Sequence, residues 1–167
     1  MRIGILTVSD RSARGERPDL SGPAIEEVIV DQGWIIDRME IIADELSDVV
    51  QVLAAWSDSG DLDIILTTGG TGFSPRDITP EALVEVIERD APGLAEAMRA
   101  ASLKITPHAM LSRAKAGIRG STLIINLPGS PRAAIENLNV VLPVLEHAVE
   151  LLSDDPGAEA GHSRNTN

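Results

Sequence analysis

The residues best suited to chemistry form a glycine-rich turn at residues 67–72, directly after the apolar run at residues 64–66. Glycine tolerates positive φ and lets backbone N–H groups approach a ligand closely. Successive N–H groups in such a turn form a concavity that binds anions. We therefore interpret the turn as a phosphate-binding site formed by Thr68, Gly69, Gly70, Thr71 and Gly72. It has neither a Walker lysine nor the G-x-G-x-x-G spacing, so a purely structural turn remains an open alternative.

Two charged residues, Arg76 and Asp77, follow the turn and precede a predicted helix start. Thr79 suits the N-cap position, and Pro80 suits the first helical position. The order is therefore strand, glycine turn, charged pair and helix, and ligands of open α/β sheets bind beyond the carboxyl ends of the strands. Arg76 can pair with a phosphate or with a neighbouring carboxylate. Asp77 can ligate a cation or interact with the helix N-terminus.

Other predicted strands also end in polar residues, with Ser9-Asp10 after the first, Asp44 after the second and Gly129-Ser130 after the last. In a doubly wound sheet these ends lie around one crevice. Asp44 would add a second hard oxygen ligand for Mg²⁺ beside the aspartate of the glycine-turn segment. From the residues alone, Asp44 is most simply an ordinary surface carboxylate. Ser9 and Asp10 are equally compatible with a structural turn, and Ser130 with a simple helix cap.

Strand and helix patterns alternate through most of the chain. Apolar runs predict strands at residues 2–8, 34–42, 64–66, 115–119 and 121–127. Helical periodicity and capping residues predict helices at residues 21–33, 47–60, 80–89, 92–103 and 131–152. Ser47 and Ser130 are the expected N-caps of two of them, and the last helix should be interrupted or bent near Pro143. Residues 106–113 allow no assignment.

This alternation predicts a three-layer αβα sandwich with a mainly parallel sheet. The tight join at Gly120 predicts that one strand runs antiparallel. At 167 residues the chain is most simply one domain, which we place at residues 1–152. Residues 153–167 are rich in glycine, serine, aspartate and asparagine, and we expect a disordered tail.

The composition narrows the function classes. The absence of cysteine excludes disulfides and thiolate metal sites and fits a cytoplasmic location. No apolar segment is long enough to suggest a signal or a membrane span. The net charge of −12 argues against nucleic-acid binding. If the ligand is an anion, local groups must attract it, because the overall field repels it.

The chain resembles the MogA/MoaB family of molybdopterin adenylyltransferases from about residue 2 to residue 152. The matching motifs are T-T-G-G-T-G at residues 67–72, R-D at 76–77, T-P-E-A at 79–82, S-D-R at 9–11, M-R-x-x-S-L at 98–103, L-S-R at 111–113 and N-L-P-G-S-P at 126–131. The glycine turn alone would indicate only a superfamily that includes molybdenum-insertion domains and CinA-like proteins. The ordered set of motifs is more specific. We expect no histidine near these motifs in the folded chain.

The resemblance implies that the protein transfers AMP from Mg-ATP to the terminal phosphate of molybdopterin. In that interpretation Asp44 and Asp77 are catalytic and are possible Mg²⁺ ligands, and Ser102 matches a family active-site serine. Gly129, Ser130, Ser9, Asp10, Arg76 and the glycine turn would bind substrate, and Arg113 could also pair with a phosphate. The family further implies a homotrimer and a possible transfer of product to a molybdenum-insertion protein.

Two other functions remain open at this point. A non-catalytic molybdopterin-binding or carrier protein would need the same crevice without AMP transfer. A CinA-like nucleotide-processing domain is the third candidate, although no second catalytic domain is visible in the sequence.

Overall fold

The computed structural model describes residues 1–153, so the predicted tail lies almost entirely outside the described residues. The strands are β1 (Arg2–Val8), β2 (Ile35–Ile42), β3 (Ile64–Thr68), β4 (Arg89–Asp90), β5 (Ala116–Arg119) and β6 (Thr122–Leu127). The helices are α1 (Asp10–Ala13), α2 (Ser21–Asp31), α3 (Leu46–Asp58), α4 (Thr79–Val86), α5 (Pro92–Leu103) and α6 (Pro131–Leu152), with a 3₁₀ helix at Pro107–Leu111. None of the helices in this part of the chain is long and apolar enough to cross a membrane.

The strands form one sheet in the order β2-β1-β3-β6-β5-β4. The first four strands in this order are parallel, whereas β5 is antiparallel to both β6 and β4. The predicted mainly parallel sheet with one antiparallel strand is therefore confirmed. Thr7 is level with Thr68, and Thr68 is level with Leu127. Because these registers match, the loops after β1, β3 and β6 begin at the same edge of the sheet.

Helices cover both faces of the sheet, which confirms the three-layer architecture. On one face α2, α5 and α6 pack on the sheet through Ile25, Met98 and Leu138. On the other face α3 and α4 contribute Leu53 and Leu83 to a second cluster. The central strand β3 is buried along its whole length, as expected for a parallel strand covered on both sides.

Two predicted N-caps are wrong. Helix α4 begins at Thr79 itself, and the Thr79 hydroxyl donates to the Gly69 carbonyl at 2.8 Å instead of capping the helix. Helix α3 begins at Leu46 after Glu45, so Ser47 is already helical. Ser130 does occupy the N-cap position of α6, but its side chain makes no capping hydrogen bond.

Some element boundaries also differ from the prediction. The helix expected to reach Arg89 ends at Val86, because Arg89 and Asp90 pair with β5 as a short strand. The segment after β1, for which the sequence predicts no helix, contains the one-turn helix α1. Helix α6 continues through Pro143, so the expected interruption is not observed.

Candidate active site

Loops after four strands surround a polar cavity of about 420 Å³, which we call the carboxylate cavity. This size suits a phosphorylated ligand rather than a single ion. The predicted site residues that line it are Ser9, Asp44, Thr68, Gly69, Gly70, Asp77, Gly129 and Ser130. Thr7, Val8, Arg17, Asp19 and Ser21 also line it and were not selected as site residues from the sequence.

The glycine turn is compressed between neighbouring backbones. Gly69 has φ +101° and Gly70 has φ +61°, a region in which L-residues with side chains are strained. A Cβ on Gly69 would lie 2.2 Å from the Val8 carbonyl oxygen, and a Cβ on Gly129 would lie 3.1 Å from the Gly69 Cα. The ends of β1 and β3 therefore approach too closely for a side chain at Gly69, and a side chain at Gly129 would require a shift of a few tenths of an ångström.

Some hydrogen-bond donors of the glycine turn bond to other protein groups, and others have no protein acceptor in the described residues. The Gly69 N–H donates to the Leu127 carbonyl at 3.3 Å, and the Thr68 hydroxyl donates to the Pro128 carbonyl at 2.7 Å. The N–H groups of Gly70, Thr71 and Gly72 have no acceptor in the described part of the chain. These three N–H groups are the turn's available anion donors, whereas Thr68 and Gly69 fix the shape of the turn.

Asp10 and Asp44 join two of the loops through reciprocal hydrogen bonds. The Asp10 N–H donates to Asp44 Oδ2 at 2.6 Å, and the Asp44 N–H donates to Asp10 Oδ1 at 3.1 Å. Arg76 donates to both carboxylate oxygens of Asp10, at 3.0 and 2.9 Å, and to Glu45 at 2.8 Å. The neighbouring-carboxylate alternative for Arg76 is therefore the one observed. The hydrogen-bonded Arg76 guanidinium holds the pKa of Asp10 below its ordinary value.

The electrostatics of Asp44 differ from those of Asp10. Burial raises the pKa of Asp44 above its ordinary value, and the charges of Asp10 and Asp77 act in the same direction. The hydrogen bond from the Asp10 amide and the charge of Arg76 oppose this rise without cancelling it. A desolvated carboxylate is stabilised by a nearby cation. Asp44 is therefore a carboxylate whose charged form a bound cation would stabilise.

Asp44 and Asp77 together fit a partly protein-held Mg²⁺. Both carboxylates line the same cavity, and carboxylate oxygen is the ligand type that Mg²⁺ prefers. Asp77 also accepts the Ser74 N–H at Oδ2, at 2.9 Å, which fixes its orientation. Residues 1–153 contain no group of three or more side chains suited to hold a metal ion. Two carboxylates would therefore leave the remaining ligands to phosphates and water.

Asp19 and Arg17 are the charged lining residues that sequence reasoning missed as site residues. Asp19 accepts from the Thr7 hydroxyl at 2.7 Å and from the Ser21 N–H and hydroxyl, both at 2.9 Å. Burial alone would raise the pKa of Asp19, but these bonds and one from Gly22 outweigh it and lower the pKa. The D-x-S spacing before a helix is a local signal for such a turn. Arg17, by contrast, has no ion pair in the described residues, so its guanidinium is available to an anion.

A second, largely apolar cavity of about 280 Å³ lies on the other side of the glycine turn, and we call it the Ser102 cavity. Its polar groups include Ser102, Asn137 and Arg99, together with Thr71 and Gly72 of the turn. Asn137 donates to the Ser102 hydroxyl oxygen at 3.1 Å, which leaves the hydroxyl hydrogen free to donate to a ligand. His108 also lines this cavity, contrary to the expectation that no histidine lies near the motifs.

Asp10 and Arg76 line neither cavity, and the other predicted site residues are divided between two adjacent cavities instead of one crevice. Gly69 and Gly70 face the carboxylate cavity, and Thr71 and Gly72 face the Ser102 cavity. The turn after β6 is divided in the same way, with Pro128 in the Ser102 cavity and residues 129–130 in the carboxylate cavity. The arrangement can bring two ligands together across these two turns.

Comparisons with known proteins give a consistent result. The family described as "probable molybdopterin binding domain" matches residues 4–147. The chain is 44% identical over 156 residues to the molybdopterin adenylyltransferase of Helicobacter pylori strain J99, covering 91% of this chain and 88% of that protein. It is 45% identical to Dictyostelium discoideum gephyrin, covering 92% of this chain but only 23% of gephyrin.

Solved structures agree with the sequence comparisons. The crystal structure of the molybdopterin biosynthesis enzyme MoaB from Thermus thermophilus superimposes with a TM-score of 0.87 at 52% identity. The match covers 93% of this chain and 98% of that one. The fold and the motif resemblance to MogA and MoaB proteins are therefore confirmed. The chain belongs to the molybdopterin-binding domain family, in its MogA/MoaB branch.

Proposed function

We propose that this protein is a molybdopterin adenylyltransferase, which transfers AMP from Mg-ATP to the terminal phosphate of molybdopterin and releases pyrophosphate. The observation that carries the proposal is that the carboxylate cavity and the Ser102 cavity share the two turns at residues 69–72 and 128–130. Two substrates can therefore meet at one point. The name and the nearly full-length match of the Helicobacter pylori relative support the same reaction.

The chemistry agrees with the residues present. An oxygen of the molybdopterin phosphate attacks the α-phosphorus of ATP, a new P–O–P bond forms, and the bond to the leaving pyrophosphate breaks. A phosphate monoester is already ionised at neutral pH, so the attack needs no general base. No histidine is among the residues that line the carboxylate cavity. Positioning and charge neutralisation are then the protein's main contributions.

The phosphates belong in the carboxylate cavity in this proposal. The Gly70 N–H group and the Arg17 guanidinium, neither of which has a partner within residues 1–153, would hold phosphate oxygens there. The N–H groups of Thr71 and Gly72 would meet the ligand from the Ser102 side of the turn. Asp44 and Asp77 would hold Mg²⁺, which when bound neutralises charge on the phosphates and on the departing pyrophosphate. The Gly70 N–H group, the Arg17 guanidinium and a bound Mg²⁺ would together attract an anion to this cavity, although the net charge of the protein is −12.

The pterin end of molybdopterin belongs in the Ser102 cavity. That cavity is largely apolar but presents the Ser102 hydroxyl, the Asn137 amide and the Arg99 guanidinium. Such a mixture suits a flat heterocycle with hydrogen-bonding edges. The terminal phosphate of the same molecule would then reach the shared turns. Ser102 would act in substrate binding.

Pyrophosphate release from ATP tests this function. Wild-type protein should release pyrophosphate only when both molybdopterin and Mg²⁺ are present. Asp77→Asn should lower the rate about 100-fold, the effect of losing one group that stabilises transition-state charge, while molybdopterin still binds. Asp31→Asn, an exposed aspartate at the end of α2, is the matched control and should leave the rate unchanged. Molybdopterin binding without any release by the wild type would instead indicate a carrier protein.

A further inference from the structure

The Arg113 guanidinium holds the segment between the glycine turn and α4 at both of its ends. Nε donates to the Gly72 carbonyl at 2.6 Å, and Nη2 donates to the Asp77 carbonyl at 2.6 Å. Nη1 donates to the Glu81 carboxylate in the first turn of α4. Each guanidinium nitrogen is therefore bonded to the protein, so the suggestion that Arg113 pairs with a phosphate does not match this arrangement.

Arg113 is also connected to the Ser102 cavity. Its own N–H donates to the Thr71 carbonyl at 2.9 Å, and the preceding Ser112 carbonyl accepts from Arg99 Nη1 at 2.8 Å. Arg99, Ser112 and Thr71 all line the Ser102 cavity, whereas Arg113 itself does not. Asp77, at the other end of this contact chain, lines the carboxylate cavity.

We propose that Arg113 is a positioning residue that couples the two cavities, so that a ligand in the Ser102 cavity favours the placement of Asp77 that Mg-ATP requires. The inference rests on the proposed function for the identity of the two ligands, but the coupling itself follows from the contacts. Filling the Ser102 cavity fixes Arg99, residues 112–113 and Thr71. Because the Arg113 guanidinium bonds to the Gly72 and Asp77 carbonyls, fixing Arg113 also restricts the positions of these two residues. The two substrates should therefore bind with positive cooperativity.

The geometry requires an arginine. A planar guanidinium donates in several fixed directions at once, whereas a lysine ammonium is a compact point charge on a flexible stem. Arg113→Lys therefore retains the charge near Glu81 but cannot span both carbonyls. Glu81→Gln does the reverse, because it removes the charged partner and leaves the two carbonyl bonds intact. This pair of variants separates the contribution of charge from that of the backbone contacts.

Calorimetry measures the Kd with which the protein binds the Mg²⁺ complex of α,β-methylene ATP, a non-hydrolysable analogue, in the presence and in the absence of molybdopterin. We expect molybdopterin to tighten this Kd about tenfold in the wild type, a typical size for coupling between two sites. In Arg113→Lys the change should be less than twofold, while the Kd for molybdopterin alone stays within threefold. Glu81→Gln should keep at least half of the wild-type tightening. Equal tightening in Arg113→Lys and the wild type would overturn the proposal.

A second measurement needs no variant and remains informative if Arg113→Lys does not fold. Hydrogen exchange of the Ser74 and Asp77 amides reports the order of this segment, because these amides bond to Asp77 and Ser74 respectively. Molybdopterin alone should slow their exchange at least tenfold in the wild type, and unchanged exchange would contradict the coupling. If the protein instead shows the cooperativity but releases no pyrophosphate, the proposed function fails and the coupling stands.

Discussion

The close approach of three strand ends at Gly69 can be tested by adding one methyl group. In Gly69→Ala the new Cβ would lie 2.2 Å from the Val8 carbonyl oxygen, on a backbone with φ +101°. The positive φ costs about 1–2 kcal/mol for a residue with a side chain. Relieving the overlap requires a backbone shift, and overpacking of this kind costs about 1–3 kcal/mol more. We therefore expect a loss of about 2–5 kcal/mol in the free energy of unfolding.

Gly33→Ala is the matched control for the backbone part of this cost. Gly33 also has positive φ, +75°, but an added Cβ would meet no described atom within 4 Å. Its expected cost is the φ cost alone, about 1–2 kcal/mol. Urea unfolding followed by the fluorescence of the two buried tryptophans, Trp34 and Trp56, measures both variants. Equal losses, within about 0.5 kcal/mol, would refute the close contact between Gly69 and Val8.

Three further outcomes concern the charged residues of the carboxylate cavity. Asp44→Asn should abolish Mg²⁺-dependent pyrophosphate release. The same substitution should raise the thermal unfolding temperature at pH 7, because it removes a desolvated charge while the amide oxygen can still accept the hydrogen bond from the Asp10 N–H. Folding raises the pKa of Asp44. The stability gain of Asp44→Asn over the wild type should therefore be fully present above the folded-state pKa. It should vanish below about pH 3.9, where the wild-type carboxyl is protonated in both the folded and the unfolded chain. In the wild type, protons should compete with Mg²⁺ for the metal-free Asp44 carboxylate, so pyrophosphate release at subsaturating Mg²⁺ should decline with falling pH earlier than an ordinary carboxylate would predict, which a pH–rate profile measures. Arg17→Gln should raise the KM for ATP about tenfold, the cost of one charge-assisted hydrogen bond, with kcat within threefold, and the exposed Arg132→Gln should change neither constant.

The sequence predicts the fold well because the signals of the main elements are local. Apolar runs that end in polar residues mark β1, β3 and β6, and the tight join at Gly120 marks the antiparallel pair. These features follow from backbone conformation and burial, which neighbouring residues determine. The same locality explains the misplaced caps. Thr79 has the residue type of an N-cap, but its hydroxyl bonds to Gly69, ten residues earlier, through the tertiary fold.

The candidate site is less predictable because its contacts are distant along the chain. Arg76 is paired with Asp10, which is 66 positions away, and Arg113 contacts Gly72, which is 41 positions away. Residue type alone cannot distinguish such paired arginines from Arg17, which has no ion pair within residues 1–153. For the same reason, the sequence places the strand ends around one crevice, whereas the folded chain divides the turns at residues 69–72 and 128–130 between two cavities.

The most direct test of AMP transfer uses ATP labelled with ³²P at the α-phosphate and measures which molecule carries the label after the reaction. With stoichiometric protein, molybdopterin and Mg²⁺, the proposed reaction moves the label onto molybdopterin and forms one pyrophosphate for each labelled product. Omission of molybdopterin should leave the label in ATP. Saturating, directly measured molybdopterin binding with all label remaining in ATP would contradict the proposed transfer and leave a binding or carrier role.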